Sequence, residues 1–126
     1  MSATTTAEGV GNADTLPDAA LLGLLAAFRR AQAWEKATRS DWNGTASSDP
    51  SWSRVAAAHA SAVRAWHDVL RRIAATPVEG VVGLAIKAGI IAAEASAESC
   101  MTADDVAVVR SLEADLARLM PQAVAV

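Results

Sequence analysis

Residues 50–75, PSWSRVAAAHASAVRAWHDVLRRIAA, decide the fold of this chain. Their larger side chains recur in alternating steps of three and four residues, which is the spacing of one packed helix face. This seam consists of Trp52, Val55, His59, Ala62, Trp66, Val69 and Ile73. The stretch therefore predicts a long amphipathic helix, and we expect His59 to be a hydrogen-bonded core histidine.

Capping residues on either side of this helix mark further helix starts. Thr76, Pro77 and Glu79 have the order of a capping box with proline at the first helical position. Thr102 is followed by two acids, which complement the positive end of a helix dipole. With a further helix before residue 40, we predict four helices, at 17–39, 50–75, 77–98 and 103–120.

The composition supports an all-helical chain. Of the 126 residues, 31 are alanine, 52% are hydrophobic, only five are aromatic and one is cysteine. Such a chain is too apolar for disorder, too poor in β-branched and aromatic residues for a sheet, and too poor in cysteine for a disulfide scaffold. We predict an all-α, antiparallel four-helix bundle-like domain over 15–120, with a flexible tail at 1–14 and a frayed C-terminus at 121–126.

The third predicted helix is apolar on almost every side. Lys87, Glu94 and Glu98 interrupt it along one side, and we expect Glu94 and Glu98 to form a solvated edge. On the opposite side small residues form a smooth stripe, and small residues let a neighbouring helix approach closely. A helix this apolar is either the buried centre of the domain or shared with a second subunit, and we favour a subunit interface. The candidate residues are Gly83, Ala85, Lys87, Gly89, Ala93 and Ala97.

The uneven distribution of charge raises nucleic-acid binding as the alternative. Residues 21–87 carry a net charge of +4 and residues 88–126 a net charge of −4. A small DNA-associated regulator would use a basic face on the first two helices. Its contacts would be Arg29, Arg30, Arg54 and Arg64. Basic helices that face the acidic fourth helix, within one chain or across a dimer, explain the asymmetry equally well.

No set of residues predicts catalysis, a metal site or a cofactor. His59 and His67 are eight residues apart, and neither follows a glutamate by three residues, as di-iron bundles require. Cys100 has no neighbouring cation that would stabilise a thiolate. Trp34 and Trp42 have two interpretations: a lid over the core, which we favour, or a surface aromatic patch that marks a partner.

The junction between the second and third helices, IAATPVEGVVGLAIK at 73–87, resembles a known motif. The pattern T-P-x(5)-G-L-x-x-K is similar to one in short all-helical alphaproteobacterial proteins without a known activity. The matching residues are Thr76, Pro77, Gly83, Leu84 and Lys87, whereas Val78 and Val81 depart from the usual alanine and threonine. The resemblance implies no function. The interior Gly83 suggests close contact with another backbone, and Lys87 suggests binding to an acid or a ligand.

These observations together predict a non-enzymatic, cytoplasmic helical protein. We expect it to act through self-association or contact with another protein, and we favour a homodimer. The apolar run at 80–93 is shorter than the roughly 20 residues that span a bilayer, so no membrane segment is expected.

Overall fold

The computed structural model describes residues 16–96 and 101–120. It contains four helices, α1 (Ala19–Asn43), α2 (Trp52–Ala75), α3 (Val81–Ala95) and α4 (Ala103–Leu119), and no strand within these ranges. The predicted all-α, four-helix fold is confirmed. The segments 1–14 and 121–126, predicted to be flexible and frayed, lie outside the described residues, as do Ala97, Glu98 and Cys100.

The helices form a ring in which α1 packs on α2, α2 on α4, α4 on α3, and α3 on α1. Thr38 of α1 bonds His59 of α2, whereas Asp18 bonds Glu79 beyond the other end of α2, so α1 and α2 are antiparallel. The α1–α3 contact is the smallest of the four. The bundle is consequently most open along the line between α1 and α3.

Apolar side chains from all four helices build the core. The α2 seam is confirmed, because Ala62, Val69 and Ile73 are buried and its other members are half-buried. Burying one large aliphatic side chain stabilises a fold by about 1.5–3 kcal/mol. The buried core cluster consists of Leu21, Phe28, Val69, Leu70, Ile73, Val78, Ile86, Ile90 and Val108.

The capping box predicted at 76–79 is wrong, and α3 begins later, at Val81. Thr76 ends α2, and its hydroxyl donates to the Arg72 carbonyl at 2.7 Å. The amides of Val78 and Glu79 donate instead to aspartates from elsewhere in the bundle. Val78 is fully buried, so the core holds this segment in a non-helical conformation.

The helix start predicted at Thr102 is confirmed as a capping box. The Thr102 hydroxyl accepts from the Asp105 amide at 3.3 Å, and the Asp105 carboxylate accepts from the Thr102 amide at 2.8 Å. The acids Asp104 and Asp105 lie in the first turn of α4, where the helix dipole favours negative charge.

Candidate functional site

The polar side of α3 faces into the bundle. Lys87 is completely buried, Glu94 is 5% exposed, and Gly83 is buried beside them in the same orientation. The expectation that Glu94 lies on a solvated edge is therefore wrong, and Glu98 lies outside the described residues. Gly83 and Lys87 are also wrong as interface candidates, because each is covered by its own chain. The physical reason is that the Gly83 amide, the Lys87 ammonium group and one Glu94 oxygen each have a hydrogen-bond partner elsewhere in the bundle.

Gly83 is matched to Asp18, the residue before α1. The Asp18 carboxylate accepts from the amides of Glu79 at 2.7 Å and Gly83 at 2.8 Å, and so caps the start of α3 from another helix. A Cβ atom on Gly83 would lie 2.5 Å from the Asp18 carboxylate. Glycine is required here because of a side chain, not the neighbouring backbone that the sequence suggested.

Lys87 is matched to an acid on α4. Its Nζ donates to Asp115 Oδ2 at 2.6 Å and to Ser111 Oγ at 3.1 Å. The other Asp115 oxygen accepts from the Val78 amide and from Arg118. Burial raises the pKa of Asp115, but the bonds from Lys87, Val78 and Arg118 outweigh it and lower that pKa overall. The ammonium group of Lys87 is thus used within the fold.

Three carboxyl groups from three helices converge near the end of α3, and we call them the acid cluster: Glu35, Glu94 and Asp105. Their exposures are 7%, 5% and 5%. Trp66 Nε1 on α2 donates to Glu94 Oε1 at 2.8 Å. Asp105 Oδ2 accepts from Thr102. Each of the four helices therefore contributes one side chain to this region of the bundle.

The acid cluster holds more acceptors than donors. Glu35 Oε2 and Asp105 Oδ1 are buried and have no hydrogen-bond partner in the described part of the chain. Burial and the adjacent Asp105 carboxylate, with a smaller effect of Glu35, raise the pKa of Glu94 to about 7, against the bond from Trp66 that lowers it. A proton on Glu94 supplies the donor that the neighbouring Asp105 lacks.

An open cavity of about 1070 Å³ adjoins the acid cluster. It is lined by side chains of both charges. The charged ones are Arg29, Glu35, Lys36, Arg39 and Glu94. Arg39 Nε lies 3.5 Å from Glu35 Oε1, with Arg39 itself half exposed. Among residues 16–96 and 101–120, no group of three or more His, Cys, Asp or Glu side chains is arranged to hold a metal ion.

The outward side of α3 is apolar, and we call it the α3 face: Val81, Val82, Ala85, Gly89 and Ala93. Val81 is 80% exposed and Val82 51% exposed, and the three small residues are exposed as well. Of the predicted interface candidates, Ala85, Gly89 and Ala93 therefore do lie on one accessible stripe. The helix is inverted relative to an ordinary amphipathic helix, because its charged residues point inward and its valines outward.

A mainly apolar groove runs beside the α3 face. It has a volume of about 460 Å³ and continues onto Leu25, Phe28 and Arg29 of α1. A Cβ atom on Gly89 would have no neighbour within 4 Å. Glycine inside a helix costs about 1 kcal/mol relative to alanine, and no contact within this chain requires it at position 89.

The four arginines predicted for nucleic-acid contact are all exposed. Arg29 lines both cavities beside α3, and Arg64 donates to the Ser61 hydroxyl at 3.0 Å. Hydrogen bonds from Ser51 lower the pKa of the Asp49 carboxyl, and the charge of Arg54 on α2 adds a smaller effect. Arg30 also lies on the exposed side of α1.

Trp34 and Trp42 do not cover the core. They are 45% and 37% exposed, so the favoured interpretation as a lid is wrong. They lie eight residues apart on α1, about 12 Å along the axis. The Trp42 ring lies against His59, with 5.0 Å between ring centroids, and His59 Nδ1 is 3.2 Å from the Thr38 hydroxyl. His59 is therefore hydrogen-bonded, as predicted.

Sequence reasoning missed the acids that organise α3. Asp18, Glu35, Asp105 and Asp115 are all buried, and none was singled out from the sequence for such a role. A signal was present in the helix periodicity. Glu35 lies four residues after Ala31 on the buried face of α1. On α4, Asp105 and Asp115 lie on the same buried face as Val108.

Comparison with known proteins finds no matching family model, no similar curated protein and no similar solved structure. None of the helices in the described ranges has the length and apolarity that crossing a bilayer requires.

Proposed function

We propose that this chain is a non-enzymatic, cytoplasmic protein that acts by associating with a second copy of itself through the α3 face. The observation that carries the proposal is the inversion of α3. Its charged residues Lys87 and Glu94 are buried inside the bundle, whereas Val81 and Val82 are 80% and 51% exposed on the outside. Contiguous exposed apolar surface of this kind is typical of protein interaction sites.

The small residues of the α3 face favour another helix as the occupant. Ala85, Gly89 and Ala93 follow one another at four-residue intervals, so they form one smooth ridge. The distance between packed helix axes depends on the side chains at the contact. A ridge of this kind allows another helix to approach α3 closely. Such a contact would explain the glycine at position 89, which no contact within its own chain requires.

Charge complementarity favours a second copy of the same chain. A two-fold axis that lies in the contact plane and perpendicular to α3 sets two α3 helices antiparallel. The exposed Glu79, just before α3, then approaches the opposite end of the partner's α3 helix. That end is flanked by Arg29 and Lys36, which line the cavities beside Ala93. Opposite charges thus meet at both ends of the pair.

Light scattering after gel filtration tests the proposal at high micromolar concentration. The wild-type chain should have twice the 13.0 kDa mass of one chain. Val82→Glu should have the single-chain mass, because the substitution places a charge in the centre of the contact. Gly89→Leu should have the same effect, and space is available for its side chain in the single chain.

Val106→Glu is the matched control, since Val106 is an exposed valine on α4, outside the α3 face. It should keep the wild-type mass. A wild-type chain that runs at 13.0 kDa at high concentration contradicts the proposal. A Val82→Glu variant that keeps the doubled mass places the interface elsewhere.

A further inference from the structure

The buried side of α3 carries Glu94, whose ionisation affects the packing of this helix against α4. Glu94 is the second-last residue of α3 and directly follows Ala93 of the α3 face. It is buried against Asp105 of α4 and has Glu35 of α1 nearby. The same short helix therefore has an apolar interaction surface outside and an acid cluster inside.

The charges around Glu94 do not balance its ionised form. From α2 it receives one neutral donor, the Trp66 indole, while His67 bonds Asp104 at 2.9 Å. From α4 it faces Asp105, whose Oδ1 has no partner in the described ranges.

From α1 it faces Glu35, whose own ion pair is the 3.5 Å contact with the half-exposed Arg39. Arg29 and Lys36 line the adjoining cavity, and on α3 itself Lys87 is bonded to Asp115. Within residues 16–96 and 101–120 no cation is bonded to Glu94.

We propose that a proton shared between Glu94 and Asp105 holds the end of α3 in place, and that loss of this proton loosens α3 and weakens self-association. The second half of the statement rests on the proposed function. With the proton bound, Glu94 donates to the unpartnered Asp105 Oδ1 and keeps its bond from Trp66. Without it, two carboxylates share a buried contact with a third nearby.

Loosening α3 displaces the helix that carries the α3 face. The α1–α3 contact is the smallest of the four between neighbouring helices, so the packing on this side resists displacement least. Repulsion between Glu94 and Asp105 acts to separate α3 from α4. Ala93 moves with Glu94 because they are adjacent on one helix. The raised pKa of Glu94, about 7, sets the range over which the change takes place.

Two measurements on the full chain test this inference, each made at about pH 5.5 and about pH 8.5. The first is the dimer dissociation constant from analytical ultracentrifugation. It should rise about tenfold or more at the higher pH. The second is the NMR signal of the Trp66 indole together with amide-exchange protection over α3. The indole signal should shift, and protection should fall, at the higher pH.

Glu94→Gln provides the decisive variant, because its amide oxygen can accept from Trp66 and its amide nitrogen can donate to Asp105 at any pH. Both pH dependences should disappear in it. Glu113→Gln, an exposed glutamate on α4, should keep them. His67→Gln should keep them too, which separates the effect of Glu94 from that of the histidine bonded to Asp104.

Different results contradict self-association and the proton-dependent packing of α3. A chain that stays single at both pH values contradicts the proposed function, and the NMR readout then decides the proton-dependent seating of α3 by itself. Protection of α3 that does not depend on pH, or a Glu94→Gln variant with the wild-type pH dependence, overturns the inference. A dimer whose dissociation constant is unchanged by pH overturns its link to association.

Discussion

Lys87 Nζ lies 2.6 Å from Asp115 Oδ2, and both side chains are buried, with exposures of 0% and 6%. Removing two charges from water is costly, and a buried pair repays that cost only when further hydrogen bonds satisfy it. Ser111 on one side, and Val78 and Arg118 on the other, supply those bonds. The pair joins α3 to α4 and to the segment that precedes α3.

Removing one member of this pair should destabilise the fold severely. Lys87→Met leaves Asp115 buried with less compensation, and we expect the free energy of unfolding to fall by about 3–5 kcal/mol. Lys87→Met combined with Asp115→Leu should recover much of the loss, because no unpaired charge remains. Urea unfolding measures both variants.

The exposed pair of Arg72 with Asp68 is the comparison. Arg72→Met should cost less than about 1 kcal/mol, as surface ion pairs usually do. A loss below about 1 kcal/mol in Lys87→Met as well would show that the buried pair contributes no more than this exposed one.

Alanine should have opposite effects on stability at the two glycines within α3, the buried Gly83 and the exposed Gly89. Gly83→Ala places a Cβ atom 2.5 Å from the Asp18 carboxylate, which must then give up its bond to the Gly83 amide. We expect a loss of about 1–3 kcal/mol for that unsatisfied buried group. Gly89→Ala meets no atom, so better helix propensity should stabilise the single chain by about 1 kcal/mol. Thermal unfolding at low protein concentration gives both signs, and equal effects would contradict the assignment.

How much of this fold could be predicted from the sequence depends on where the deciding partner lies. The α2 seam is a local pattern, and its burial follows from the spacing of side chains within one helix. The orientation of α3 is not local. Its polar residues point inward because Asp18, Trp66 and Asp115 lie opposite them. The apolar residues of α3 lie on almost every side of the helix, so their pattern alone does not show which side faces the core.

Partners that are distant in the sequence also decide which of the predicted site residues are accessible. Ala85, Gly89 and Ala93 were predicted as interface residues from their small size, and that stripe is accessible. Gly83 and Lys87 were grouped with them because an interior glycine and a lone lysine had no visible partner. Their partners are 65 residues earlier and 28 residues later in the chain. Hydrophobic periodicity contains no information about contacts at that distance.

The two threonines that resemble helix caps should respond differently to alanine. Thr102 accepts from the Asp105 amide in a complete capping box, so Thr102→Ala should cost about 1 kcal/mol of stability. Thr76 has the better sequence motif, yet its hydroxyl only donates to the Arg72 carbonyl at the end of α2. Thr76→Ala should therefore cost only a few tenths of a kcal/mol. Urea midpoints rank them, and a larger loss at Thr76 would contradict the non-helical conformation of 77–80.

The stability of the single chain should fall as pH rises from about 4.5 to about 7. In the folded chain the pKa of Glu94 is raised from 4.5 to about 7, so between these values the folded state binds more protons than the unfolded state. The free energy of unfolding must then decrease with pH, by roughly 2–3 kcal/mol over the window. Below it the contribution is complete, and above about pH 7 it is lost.

Asp115 contributes with the opposite sign. Its pKa is lowered in the fold, so its stabilisation is present above its ordinary pKa of 3.8 and is lost as pH falls through the folded value. These two groups together stabilise the fold most between their ordinary pKa values of 3.8 and 4.5. Glu94→Gln removes the decline on the alkaline side. It should match the wild-type chain near pH 4.5 and exceed its stability by roughly 2–3 kcal/mol at pH 8. Urea unfolding at protein concentrations too low for association measures this difference, and equal stability of the two proteins at pH 8 would mean that Glu94 ionises in the fold without cost.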